Sequence, residues 1–252
     1  MQLYFRELGE GQPLVILHGL FGSCDNWLTV SKSLAEKFKV YLIDQRNHGR
    51  SEHDAIHDYD SMAKDLLAFF AEHDIQNPIV LGHSMGGKTA MTLALNHPES
   101  LAKLIVVDIS PRYYPPHHQD VISGISAINL ETLSSREEAD KIMSEFLPEI
   151  GVRQFLLKNL YRNEAGGVAW RMNFTGIVSQ IENIGAESKG IPFAKPTLFL
   201  NGGNSNYIKQ SDHELILTLF PNAQLRTIAD SGHWVQAEKP KEFVEEILTF
   251  LS

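Results

Sequence analysis

Pro78-Ile79-Val80-Leu81-Gly82-His83-Ser84-Met85-Gly86-Gly87, continued by Lys88-Thr89-Ala90-Met91-Thr92-Leu93-Ala94-Leu95, reads as a short apolar strand, a tight turn and a helix. The spacing Gly82-x-Ser84-x-Gly86 is that of a strained turn that lifts a serine clear of a sheet. A non-glycine residue at positive φ is costly and persists only where its surroundings enforce it. Strand and helix then approach so closely that side chains two before and two after the serine would collide, so glycines stand there. The hydroxyl gains a helix N-terminus, where backbone N–H groups and the positive dipole end favour a developing negative charge.

Outward from this turn, buried strands alternate with helices. Upstream lie Leu3 to Leu8, the buried run Leu14-Val15-Ile16-Leu17 and Lys39-Val40-Tyr41-Leu42-Ile43, with a helix expected from Asn26 to Phe38. Met62, Leu66, Phe69 and Phe70 recur at helical spacing within Asp60 to His73. Downstream, Leu101 to Asp108 is a buried strand, and Lys195 to Leu200 and Gln224 to Ile228 follow after a long interval. Pro240 to Leu248 closes the chain as an amphipathic helix with proline in its first turn. Continuous apolar runs suit a mostly parallel sheet covered by helices on both faces, so the pattern predicts a doubly wound α/β domain.

The chain has 252 residues, 43% hydrophobic and 21% charged, enough for one large α/β domain. A net charge of −9 argues against nucleic acid or an anionic membrane as the main partner. The single cysteine, Cys24, cannot form an internal disulfide, and no run reaches membrane-spanning length, so a cytoplasmic location is expected. The 11 histidines show no zinc-ligand spacing and no metal is expected; His117-His118 reads as solvent-exposed.

Between Pro111 and Gly190 the rhythm changes. No strand is evident there, and helical segments are expected around 121–128, 136–146, 152–159 and 169–181. The expected organisation is therefore a core domain, 1–110 and 191–252, carrying an all-helical cap, 111–190, inserted after its sixth strand. Tyr113, Phe146, Phe155 and Trp170 within the cap, with Phe21 and Trp234 from the core, are candidates to line a substrate pocket.

Acyl transfer by Ser84 needs a base within hydrogen-bond reach and a carboxylate to orient it. His233, in the loop Asp230-Ser231-Gly232-His233-Trp234 after the last strand, is the base expected. Asp108 ends the strand that follows the Ser84 strand and is the first choice of acid. Asp212, at the start of a helix, is the alternative, although capping explains it equally well. Asp230 reads as a loop-shaping residue, and the polar loop Asp44 to Ser51 as a structural tie.

Four motifs together resemble the α/β-hydrolase superfamily along essentially the whole chain: His18-Gly19-Leu20-Phe21-Gly22-Ser23, Asp44-x-Arg46-Asn47-His48-Gly49-x-Ser51, Gly82-His83-Ser84-Met85-Gly86-Gly87 and Ser231-Gly232-His233-Trp234. More narrowly, Asp108-Ile109-Ser110-Pro111 and Gly202-Gly203-Asn204-Ser205-x-Tyr207 are similar to the YbfF-type bacterial esterases. The resemblance implies the α/β-hydrolase fold and oxyanion donors at the Leu20 and Met85 N–H groups. It also places the usual acid after the strand 196–200, where Ser205 stands here as a candidate auxiliary group. Hydrolysis of short-to-medium acyl esters without a cofactor is implied, with acyl-CoA thioesters as an alternative, by a monomer or homodimer acting on small molecules. A lyase built on the same triad and a low-turnover receptor are the remaining alternatives. Arg153, Lys158, Arg162 and Arg171 against Glu164 are the feature that would suit CoA phosphates.

Overall fold

A computed structural model describes residues 1–164 and 166–252. The core runs β1 (Phe5–Leu8), β2 (Gln12–Leu17), α1 (Leu28–Leu34), β3 (Phe38–Ile43), α2 (Tyr59–Glu72), β4 (Ile79–His83), α3 (Met85–Asn96) and β5 (Lys103–Val107). An insert follows, with α4 (Gln119–Ser126), α5 (Arg136–Met143), α6 (Ile150–Leu157), β6 (Leu160–Arg162), β7 (Val168–Trp170), α7 (Phe174–Ser179) and α8 (Ile181–Ile184). The core resumes with β8 (Thr197–Gly202), α9 (His213–Leu219), β9 (Ala223–Ile228), α10 (Val235–Glu238) and α11 (Pro240–Leu251).

Seven strands form one sheet in the order β1-β3-β2-β4-β5-β8-β9, parallel except for β1. The apolar runs of β2, β4 and β5 are buried on both faces, which is why they lack a polar alternation. Val15, Val80 and Val106 share one core layer with Phe69 of α2 and Met91 of α3. Ile16, Leu81 and Ile105 share the other with Leu34 of α1 and Phe243 of α11. Asp58 caps α2 by accepting from the Ser61 N–H at 2.8 Å, and the apolar stripe of that helix faces the sheet. No helix among the described residues is long and apolar enough to cross a membrane.

The insert departs from expectation in two ways. Five strands precede it rather than six, and it is not all-helical: Leu160–Arg162 and Val168–Trp170 pair antiparallel, so the helix expected over 169–181 begins as a strand. Three-residue strands are too short to show a period of two, and Gly166, at φ +82°, supplies the left-handed position that lets the chain reverse. The insert has its own apolar core around Ile125, Met143, Leu156 and Ile177, into which Phe21 of the core projects. Lys88 on α3 pins both of its connections. The fully buried ammonium donates to Pro111 O at 3.0 Å and Arg112 O at 2.6 Å on the way out, and to Ala186 O at 2.8 Å on the way back. Burial pushes its pKa down to about 7.

Candidate active site

The C-terminal ends of β2, β4, β5, β8 and β9 converge, and the sequence-selected residues lie on the loops leaving them. In open α/β sheets this edge is where ligands bind. Ser84 follows β4 at φ 53° and ψ −117° and is the N-cap of α3, yet its side chain makes no capping hydrogen bond. The hydroxyl is therefore left for other chemistry. A Cβ on Gly82 would run into the Gly86 carbonyl, and one on Gly86 into Leu17 O, so both glycines are required by close approach. The β4–β5 register pairs His83 with Val107, which sets Ser84 level with Asp108 on neighbouring strand ends. Ser84 N–H still donates to Val107 O at 3.0 Å, and Asp108 N–H to Leu200 O at 2.9 Å.

Asp108 is fully buried and also left-handed, at φ 51°. Its Oδ2 lies 2.6 Å from His233 Nδ1 and accepts from the Ser205 hydroxyl at 2.5 Å, while Oδ1 accepts from Gly202 N–H at 3.1 Å. The carboxylate thus holds the imidazole by one nitrogen and leaves the other facing the cavity. Ser84 and His233 share that cavity wall. No hydrogen bond joins them among the described residues, and such contacts are often long until substrate tightens them. Asp212, the alternative acid, is instead engaged by Arg112 at 3.2 Å and by the Lys209 N–H at 2.9 Å. His83 is buried beneath the site, its Nε2 2.8 Å from His233 O, and burial holds its pKa well below the usual range.

The loop after β2 is a turn closed by Gly22 N–H on Gly19 O at 2.9 Å, with Phe21 at φ 58°. The Leu20 N–H donates to no protein acceptor among the described residues. Met85 begins α3, so its N–H is one of the donors that a helix start leaves without an intrahelical partner. The polar loop 44–51 braces this region. Asp44 accepts from Cys24 N–H at 2.6 Å and Arg50 N–H at 2.9 Å, and Arg46 forks onto Asp65 at 2.6 and 2.9 Å. Gln45 N–H donates to His18 Nε2 at 3.0 Å and Phe21 N–H to His48 Nε2 at 3.1 Å. Both rings must be neutral to accept, and burial pushes their pKa values down to about 4 and about 3.

A cavity of about 540 Å³ opens over Ser84 and His233, walled by Leu20 and Phe21 from the core and by Phe146, Val152 and Phe155 from the insert. Trp234 also lines it, its ring 5.8 Å from that of Phe155. Two residues expected there are not. Tyr113 is 50% exposed in the outgoing connection. Trp170 packs in the insert's own core and borders a separate surface depression. Which face of a short helix or strand meets a cavity is decided by packing, and composition carries no trace of it. Conversely, several lining residues, Val152, His117, His118 and Tyr207 among them, are given no pocket role by the sequence. Tyr207 stacks on the His233 imidazole at 4.0 Å and 19°, and its hydroxyl lies 2.7 Å from His117 Nε2. His117 and His118, expected to be solvent-exposed, line the cavity although His117 retains an exposed face. The partners are up to 90 residues apart, beyond any local signal.

Comparison with known proteins agrees with this fold. A family model described as alpha/beta hydrolase fold matches residues 12–240. The chain is 39% identical over 249 residues to the sn-1-specific diacylglycerol lipase ABHD11 of Mus musculus, covering 95% of this chain and 80% of that protein. It is 36% identical over 244 residues to esterase YbfF of Escherichia coli (strain K12), covering 96% and 94%. Among solved structures, a marine microorganism esterase superposes with a TM-score of 0.97 at 43% identity, covering 99% of both chains. The chain belongs to the α/β-hydrolase fold family and is a hydrolase acting on ester bonds.

Proposed function

We propose that the chain is a serine carboxylesterase working through Ser84, His233 and Asp108 and an acyl-enzyme intermediate. One observation carries the reading: a strained, uncapped Ser84 and an Asp108–His233 pair at 2.6 Å open on the same cavity. Ser84 Oγ attacks the ester carbonyl as His233 Nε2 takes its proton, and the Leu20 and Met85 N–H groups hold the oxyanion. His233 then protonates the leaving alcohol. Water, deprotonated by the same nitrogen, attacks the acyl-enzyme and releases the acid. Ser205 acts as an auxiliary by holding Asp108 Oδ2 alongside His233. Residues 111–190 act as a cap over a core made of 1–110 and 191–252, and the apolar wall of Phe146, Val152 and Phe155 takes a short-to-medium acyl chain. The relatives described as lipase and esterase support an acyl ester as substrate.

The thioester alternative loses part of its support. Arg153 is buried within the cap, bonded to Asp140 at 2.9 Å and to Leu147 O at 2.8 Å, so it is not available to a CoA phosphate. Arg171 stacks over the Tyr161 ring at 4.4 Å. Steady-state hydrolysis of p-nitrophenyl butyrate by wild type and Ser84→Ala tests the reading. Multiple turnover that disappears in the mutant is expected; turnover that survives would place the chemistry elsewhere. No turnover by either protein would favour the lyase or receptor reading.

A further inference from the structure

Among the described residues, the cap touches the oxyanion-hole loop through the polar side chain of Asn159. Asn159 follows α6, is 4% exposed, and its Nδ2 donates to Phe21 O at 2.7 Å and to Leu156 O at 3.1 Å. Both partners are carbonyls, so only the amide nitrogen can stand there, and the orientation of the side chain is fixed by chemistry. Phe21 is the left-handed residue of the loop. Its N–H is held from the core side by His48, its carbonyl from the cap side by Asn159, and its ring is sunk in the cap's apolar core.

The connection beyond Phe21 is continuous. The carbonyl that Asn159 grips shares a peptide group with the Gly22 N–H, which donates to Gly19 O at 2.9 Å. Gly19 O, which also accepts from His18 Nδ1 at 2.8 Å, shares a peptide group with the Leu20 N–H, which has no protein acceptor among the described residues and belongs to a cavity-lining residue. Two peptide dipoles therefore lie head to tail between Asn159 and the place where negative charge develops, and each hydrogen bond in such a row polarises the next.

We propose that Asn159 is a positioning residue for acyl transfer, fixing and polarising the Leu20 N–H through the Phe21–Gly22 and Gly19–Leu20 peptides. This rests on the oxyanion hole assigned above and deepens it: the hole is complete only when the cap is seated on the core. Without Asn159 the Phe21 carbonyl loses its cap-side donor, and the strained turn, still closed by Gly22 N–H on Gly19 O, is freer to shift and carry the Leu20 N–H off target.

The test compares wild type, Asn159→Leu, which matches the side chain in size without a donor, and Asn159→Ala. Active sites are titrated with a fluorophosphonate, and kcat and KM are then measured on p-nitrophenyl butyrate. Inhibition by an alkyl trifluoromethyl ketone, whose adduct with serine puts an oxyanion in the hole, is measured alongside. Loss of a direct oxyanion donor costs about 10²–10³ in kcat, so an indirect one is expected to cost about ten- to hundredfold per titrated site with KM within about threefold. The inhibition constant should weaken by the same factor. A structural role alone would lower the melting temperature and the titrated fraction and leave both per-site quantities unchanged, which would overturn the proposal. Should Asn159→Leu fail to fold, Asn159→Ala is read in the same way. Turnover persisting in Ser84→Ala would bring down the site assignment and this inference together. Loss in Ser84→Ala with unchanged Asn159 variants would bring down the inference alone.

Discussion

The floor and the roof of the cavity are built by opposite means. The floor consists of strand ends, and three of its residues, Phe21, Ser84 and Asp108, hold left-handed backbone at φ 58°, 53° and 51°. Such strain costs on the order of 1–3 kcal/mol per residue and survives only where neighbours over-determine it. Here they do: Ser84 and Asp108 keep their ladder bonds to Val107 and Leu200, and Phe21 is gripped at both its N–H and its carbonyl. The roof consists of short helices and their connections, whose side chains Phe146, Val152 and Phe155 face the cavity, with Phe146 still 37% exposed. Chemistry that needs atoms fixed to a fraction of an ångström sits on the over-determined part. Under the proposed function, substrate size is sorted by the part that can change side chains without disturbing it.

The largest expected effect breaks the floor. Asp108→Asn should lower kcat on p-nitrophenyl butyrate by about 10⁴, the order seen when the orienting acid of a serine triad is neutralised. Asp212→Asn, tied to Arg112 instead, should lower it less than about tenfold. The reverse ranking would move the acid to Asp212. Next, Ser205→Ala removes one hydrogen bond to a buried carboxylate, worth about 1.5–3 kcal/mol, and should reduce kcat roughly ten- to hundredfold. Unchanged kinetics would leave Ser205 without an auxiliary role.

A change in the roof should act on substrate range. Phe155→Ala, which opens the cavity wall beside Trp234, should weaken kcat/KM for a p-nitrophenyl octanoate by about 1–3 kcal/mol and alter that for the acetate ester little. Equal losses on both esters would show that roof and floor are not separable.

A different kind of effect, on stability rather than on rate, concerns pH. Burial pushes His18 down to about 4, and His48 and His57 down to about 3, from 6.5. Below pH 6.5 the unfolded chain binds protons that the folded chain does not. Stability is therefore full above that pH and falls as pH drops toward 4, by up to about 1.4 kcal/mol per pH unit for each such histidine. Urea unfolding between pH 7 and 4.5 checks the slope. A flat profile would mean that these rings charge without disturbing the folded chain, including the loop after β2 that His18 and His48 brace.

Much of this floor was legible in the sequence because its features are local. A strand, two glycines around a serine and a helix fall within 18 consecutive residues, and the absence of an acid in 201–206 directed attention to Asp108. The roof was legible only as an interruption in strand rhythm. Its hairpin is too short to declare a period, and Tyr113 and Trp170 stand out in the sequence as aromatic residues although neither meets the cavity. Tyr207, His117 and Asn159 matter through partners 26 to 138 residues away; the motif that ends in Tyr207 gives no sign of its stacking on His233, and nothing local marks the other two.

The central claim is that Ser84 is the nucleophile served by His233 and Asp108. Intact-mass and peptide mapping after brief exposure to a fluorophosphonate tests it most directly. One adduct per chain is expected, on Ser84, absent in Ser84→Ala and strongly slowed in Asp108→Asn. An adduct on another residue, or labelling that proceeds undiminished in Ser84→Ala, would contradict it.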